Sequence, residues 1–171
     1  MKLLEGKTAI ITGASRGIGK GIAQVFAAHG ANVAFTYSSS VDAAIALENE
    51  LKNYGVNAKG YQSNAANFDA AQELAAEVLK EFGTIDILIN NAGIASKNHV
   101  LLTSLKGAYD SINCNFIGTF LFCRESVKLM KINGHGKIVN ISSIHVPLAF
   151  EGTSLYGATK AAIEQFTKVL A

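Results

Sequence analysis

The sequence predicts an α/β protein: a doubly wound parallel sheet between two layers of helices, a three-layer αβα arrangement within one domain. Three observations predict it. Short apolar runs alternate with helical patterns along the 171 residues. Residues 85–90 are nearly all apolar, as expected of a central parallel strand buried on both faces. A glycine-rich turn from Gly13 to Gly19 joins the first apolar run to the first helical pattern.

The elements follow in order. A strand is expected over residues 8–12 and a helix over 17–29, with Ile22, Val25 and Phe26 on one face and Gly30 closing it. A second strand covers 32–37 and a helix 41–54, in which Ile45, Leu47 and Leu51 are apolar. A third strand covers 58–62, and the helix over 68–82 carries Leu74, Val78 and Leu79. After the fourth strand, a long helix is expected over 109–131, then a fifth strand over 136–141. The last helix starts near Ser154, and Ala161, Ile163, Phe166, Val169 and Leu170 keep its pattern to the final residue with no cap signal. No internal repeat or linker interrupts this order, and Pro147 is the sole proline.

Composition narrows the function classes. Hydrophobic residues make up 49% and charged residues 16%, so much of the chain buries itself and its surface is poor in charge. Such a surface fits subunit contacts, or the absence of part of the molecule. The net charge of +2 comes with no basic block, which argues against nucleic acid. No apolar run reaches the roughly 18 residues of a membrane span. Met1-Lys2-Leu3-Leu4 meets Glu5 and Lys7 too soon for a signal peptide, so a cytoplasmic protein is expected. The two cysteines, Cys114 and Cys123, fall in one expected helix and read as buried free thiols. His29, His99, His135 and His145 have no metal-ligand spacing.

Thr12-Gly13-Ala14-Ser15-Arg16-Gly17-Ile18-Gly19 lies between strand and helix. Glycines let backbone approach a pyrophosphate, and the helix end supplies free N–H groups and partial positive charge. The spacing is G-x-x-x-G-x-G, longer than the common dinucleotide fingerprint. The second strand ends Thr36-Tyr37-Ser38-Ser39-Ser40, with no carboxylate before Asp42 to bind an adenine ribose and repel a 2′-phosphate. Arg16 can pair with that phosphate, and its alternative is a solvated loop charge. Both features favour NADP(H) over NAD(H).

Asn90-Asn91-Ala92-Gly93 follows the fourth strand, where ligands of open α/β sheets bind. Tyr156 and Lys160, in Tyr156-Gly157-Ala158-Thr159-Lys160, share a helix face at i and i+4. A free tyrosine ionises near pH 10 and is a poor acid or base at neutral pH, whereas an adjacent ammonium favours its phenolate.

With these three motifs in order, the chain resembles the short-chain dehydrogenase/reductase family over residues 7–171, and the resemblance implies a Rossmann-type fold. It assigns Gly13, Ser15, Arg16, Gly17, Ile18 and Gly19, Tyr37 and Ser38, Asn64 and Ala65, and Asn91, Ala92 and Gly93 to the cofactor, together with Tyr156 and Lys160. Asn64 reads equally as a turn residue. The resemblance makes Ser143 the catalytic serine. Ser142 is the alternative, and strand alternation sends the two side chains to opposite faces. Asn115 matches the family's helix asparagine, which supports a water relay to the lysine. Its alternative is a buried asparagine that kinks a helix. His145, two residues after Ser143, contacts substrate or is a loop histidine.

Within the family, residues 1–94 resemble bacterial 3-oxoacyl-[acyl-carrier-protein] reductases. The stretches around residues 122–125 and 142–145 look more like sugar or polyol dehydrogenases. The basic residue expected before the fifth strand for carrier-protein docking is replaced by Gly134. The resemblance also implies further C-terminal strands, so the sequence reads as a catalytic domain that is C-terminally incomplete. The implied activity is NADPH-dependent reduction of a 3-oxoacyl thioester, free or carrier-bound, in a homodimer or homotetramer. The alternatives are a sugar or polyol dehydrogenase and a non-catalytic dinucleotide-binding or oligomerising protein.

Overall fold

In the computed structural model, which describes residues 1–63 and 67–171, strand and helix alternate from β1 to α6. The order is β1 (Thr8–Ile11), α1 (Gly17–Ala28), β2 (Asn32–Tyr37), α2 (Val41–Lys52), β3 (Ala58–Gln62) and α3 (Phe68–Phe82). It continues with β4 (Ile87–Asn90), α4 (Leu105–Ile112), α5 (Gly118–Asn133), β5 (Lys137–Asn140) and α6 (Ser154–Leu170). All pairings are parallel, in the order β3-β2-β1-β4-β5. The chain therefore winds outward from β1 to β3, returns across β1 and winds out again. The reversal lies between β1 and β4.

Alternation along the strands builds two cores, one on each face. Ala9, Ile11, Val33, Phe35, Ile87 and Ile89 meet α1 and α2 on one face. Ile10, Ala34 and Leu88 meet α3 and α5 on the other, through Leu74, Val78, Leu121 and Phe122. The expected three layers are present. Among the described residues, no helix is long and apolar enough to cross a membrane.

The bounds of β2, β3 and α3 coincide with expectation, and β1, α1, α2, β4 and β5 are shorter by one to two residues at one end or both. The long helix differs more. It begins at Leu105, where the Ser104 hydroxyl accepts from the Gly107 N–H at 3.1 Å, and passes through a π turn, Asn113–Ile117, before α5. Leu105 and Tyr109 are exposed, so no apolar stripe marks that start. A single 3₁₀ turn, Val100–Leu102, precedes it.

At the amino ends of the strands, Asp86 is 5% exposed and joins three of them. One carboxylate oxygen accepts from the Thr8 N–H at 2.9 Å. The other lies 2.7 Å from His135 Nε2 and 3.4 Å from Lys7 Nζ. Burial alone would raise the Asp86 pKa, but the Thr8, His135 and Lys7 contacts outweigh it and hold the carboxyl below its ordinary value. A carboxyl depressed on folding stabilises the fold above its unfolded pKa, and that contribution is lost as pH falls through the folded value. Asp86→Asn is therefore expected to cost about 2 kcal/mol at pH 7. The deficit should shrink as pH falls below about 4. Urea unfolding at several pH values measures it, and a deficit independent of pH would count against this account.

Candidate active site

The carboxyl ends of β1 and β4 are stitched together at the point of reversal. The Thr12 hydroxyl accepts from the N–H groups of Asn91 and Ala92, both at 3.0 Å. The Asn91 side chain donates back to the carbonyls of Thr12 and Gly13, again at 3.0 Å. Thr36, from the neighbouring β2, accepts from the Gly13 N–H at 3.0 Å through its hydroxyl. These bonds hold backbone against backbone, and glycine is what allows it. Gly13 has φ 66°, and a Cβ there would lie 2.9 Å from the Ala92 Cα. A Cβ on Gly19 would lie 2.5 Å from Asn91 Nδ2 and 2.6 Å from the Gly13 carbonyl.

The turn delivers the chain into α1 with nothing capping it. Arg16 occupies the cap position without a side-chain bond, and the first turn holds no acidic residue. The first N–H groups of α1 are thus left for a ligand anion. Arg16, Gly17 and Ile18 are exposed, as is Ser38 beyond β2, while Ser15 and Tyr37 are half-buried. Because β2 pairs with β1, this rim is shared by both strand ends. Asn64 and Ala65 lie outside the described residues.

The second half of the site forms where β5 meets α6. Lys160 is 3% exposed, and its Nζ donates to the Ile141 carbonyl at 2.7 Å. Burial pushes its pKa below the ordinary lysine value. The ammonium lies 5.9 Å from the centre of the Tyr156 ring, as the one-turn spacing predicts. Asn115, fully buried in the π turn, clamps Ile94: its Oδ1 accepts from the Ile94 N–H at 2.8 Å and its Nδ2 donates to the Ile94 carbonyl at 3.0 Å. The same Nδ2 donates to the Thr159 hydroxyl at 3.0 Å. A Cβ on Gly93 would meet Asn115 Oδ1 at 3.2 Å and Lys160 Nζ at 3.6 Å. The residue run after β4 is thus pressed directly against the buried lysine.

The two serines are separated by their partners. Ser142 donates to Glu164 Oε1 at 2.6 Å. The Ser143 hydroxyl instead accepts from the His145 N–H at 3.2 Å, which leaves its proton free to be donated. The His145 ring packs edge-on to Tyr156 and to Phe150, with centroids 5.3 and 4.8 Å apart. Both cysteines are free thiols, but only Cys123 is buried as expected, and Cys114 is half-buried; burial pushes Cys123 up to about 11, and Cys114 upward as well. Sequence reasoning missed Thr12, Thr36, Thr159 and Glu164. The threonines at the ends of β1 and β2 were visible, but only the three-dimensional reversal gives them partners.

An uncapped helix N-terminus entered through a glycine turn, at the reversal point of a parallel sheet, is the architecture of a dinucleotide-binding fold. The chain belongs to the short chain dehydrogenase family, whose model matches residues 7–171. It is 38% identical over 165 residues to a 3-oxoacyl-[acyl-carrier-protein] reductase FabG of Staphylococcus epidermidis, covering 96% of this chain and 68% of that one. A short chain dehydrogenase from Burkholderia cenocepacia, solved in complex with NADP, superposes with a TM-score of 0.92 at 34% identity, over 98% of this chain and 68% of the other. An NAD⁺-bound xylitol dehydrogenase superposes with a TM-score of 0.94 at 27% identity, over 99% of this chain and 65% of the other. The chain thus spans about two thirds of the length of these relatives.

Proposed function

We propose that the chain carries out NADPH-dependent reduction of a 3-oxoacyl thioester, with Tyr156 as the proton donor. The observation that carries this reading is the Lys160 ammonium, buried under the carboxyl end of β5 between Tyr156 and the Gly93 turn. A buried cation at the ligand end of a parallel sheet, one helical turn from a phenol, suits a carbonyl becoming an alkoxide. The substrate class rests on the 38% identity to a 3-oxoacyl-[acyl-carrier-protein] reductase.

The residues fit a dinucleotide, because Gly13 and Gly19 leave the backbone cradle that a Cβ would fill and α1 offers its first N–H groups. Gly13, Ser15, Gly17, Ile18 and Gly19 would hold the pyrophosphate, and Asn91, Ala92 and Gly93 the nicotinamide side. The nicotinamide supplies the hydride when bound. Ser143 donates its free hydroxyl proton to the substrate oxygen. Tyr156 transfers its proton to that oxygen as negative charge develops. Lys160 would hold the ribose and steadies the phenolate left behind. Asn115 acts by fixing Ile94 and Thr159, so that the Gly93 turn and α6 keep their spacing. The same reading expects a homodimer or homotetramer, in line with the exposed Val100, Leu101, Leu102 and Leu105.

Assays with acetoacetyl thioester and with glucose, each with NADPH, NADH and their oxidised forms, test the reading. Turnover of the thioester with NADPH supports it. The likeness of the stretches around residues 122–125 and 142–145 to sugar or polyol dehydrogenases, together with the superposition on a xylitol dehydrogenase, supports a second reading, a polyol or sugar dehydrogenase, which oxidation of glucose would select. NADPH binding with no turnover would select a non-catalytic binding protein. Arg16→Ala is expected to weaken NADPH binding about 10-fold or more and leave NADH binding unchanged, since one charge-assisted phosphate contact is lost. Fluorescence titration measures both, and equal effects on the two cofactors would remove Arg16 from the 2′-phosphate.

A further inference from the structure

We propose that Glu164 is a positioning residue, and that its bond to Ser142 sets the height of α6 against the end of β5 and hence the distance between Ser143 and Tyr156. This rests on the reductase reading above. Three successive residues at the end of β5 reach α6. Asn140 Nδ2 donates to the Thr167 hydroxyl at 2.9 Å. The Ile141 carbonyl accepts from Lys160 at 2.7 Å. Ser142 donates to Glu164 at 2.6 Å. Glu164 stands one helical turn beyond Lys160, and Lys160 one turn beyond Tyr156, so all three share a face of α6.

Polar rungs matter here because much of the apolar packing of α6 is directed away from β5: Phe166 meets Phe116 of the π turn and Phe120 of α5. Of the three buried side chains of α6, Thr159 and Lys160 are polar and only Ile163 is apolar. β5 is itself only partly buried along its length. Sliding of α6 along β5 is therefore resisted by directional bonds more than by close packing. The Lys160 rung cannot do this alone, because in turnover its ammonium also serves the ribose and the phenol. Asn140–Thr167 lies at the far end of the contact. Of the rungs between β5 and α6, Ser142–Glu164 is the one next to the reacting groups whose side chains have no other task, whereas the Asn115–Thr159 bond ties α6 to the π turn. Misplacement of reacting groups by about 1 Å costs up to about 100-fold in rate.

Two measurements test the proposal. In turnover, Glu164→Ala and Ser142→Ala should each lower kcat about 10-fold with the KM for NADPH unchanged, and the double variant should be no worse than either. Glu164→Gln keeps an acceptor oxygen for Ser142 and should restore kcat. Without turnover, an amine-reactive probe followed by peptide mapping should label the buried Lys160 faster in Glu164→Ala, and at the wild-type rate in Glu164→Gln. Wild-type kcat, or wild-type labelling, in Glu164→Ala overturns the proposal, as does failure of Gln to rescue. A wild-type chain that reduces no thioester overturns the reductase reading instead, and the labelling comparison then decides the role of Glu164.

Discussion

Tyr156→Phe is expected to lower turnover by about 10²–10⁴-fold, the range supplied by a positioned proton donor. The substitution removes one oxygen and keeps the ring. That ring packs edge-on to His145, and phenylalanine preserves the contact. Tyr156 is half-buried, and among the described residues its hydroxyl carries no structural bond, so the fold should be unaffected. NADPH binding should persist, because the cradle formed by Gly13, Gly19 and Asn91 is held at the carboxyl ends of β1 and β4, whereas Tyr156 stands on α6 beyond β5. Stopped-flow reduction and a cofactor titration on the same preparation separate the two effects. Retention of more than about a tenth of the wild-type rate would remove Tyr156 from the proton-donor role.

Gly19→Ala is expected to lower dinucleotide affinity by about 100-fold or more, the largest effect on binding. The new Cβ would lie 2.5 Å from Asn91 Nδ2, 2.6 Å from the Gly13 carbonyl and 2.9 Å from the Ala14 Cα. Two of these neighbours are backbone, so relief requires the phosphate turn to move away from the strand that it bonds. Gly21→Ala is the control. Two residues further along α1, a Cβ would meet nothing within 4 Å. There alanine should leave affinity unchanged and stabilise the helix by up to about 1 kcal/mol. Equal affinities for the two variants would show that Gly19 is not needed for close approach.

The layers, the strand positions and the glycine turn were legible because their signals are local. β2, with its apolar Val33, Ala34 and Phe35, and α3, closed by Gly83 at φ 79°, stood as expected. The π turn was legible only as one alternative for Asn115, a buried asparagine that kinks a helix; its bonding was not. What holds it open is the Asn115 side chain, bonded to Ile94 and to Thr159, residues 21 and 44 positions away. No periodicity encodes such a distant partner. The choice between Ser142 and Ser143 was likewise open in sequence. Alternation separated the two faces, but only the presence of Glu164 beside Ser142 shows which hydroxyl is already committed.

The seam between β1 and β4 has a kinetic consequence. It is bonded at its mouth by Thr12 and Asn91 and at its base by Asp86. Two strands paired along their length and fastened at both ends have no hinge along that line. A dinucleotide settling over their carboxyl ends would lose its own freedom but would not have to order the cradle, so little conformational entropy is forfeited by the protein. Association should then follow a single exponential whose rate rises linearly with ligand concentration, without the plateau that a slow closing step imposes.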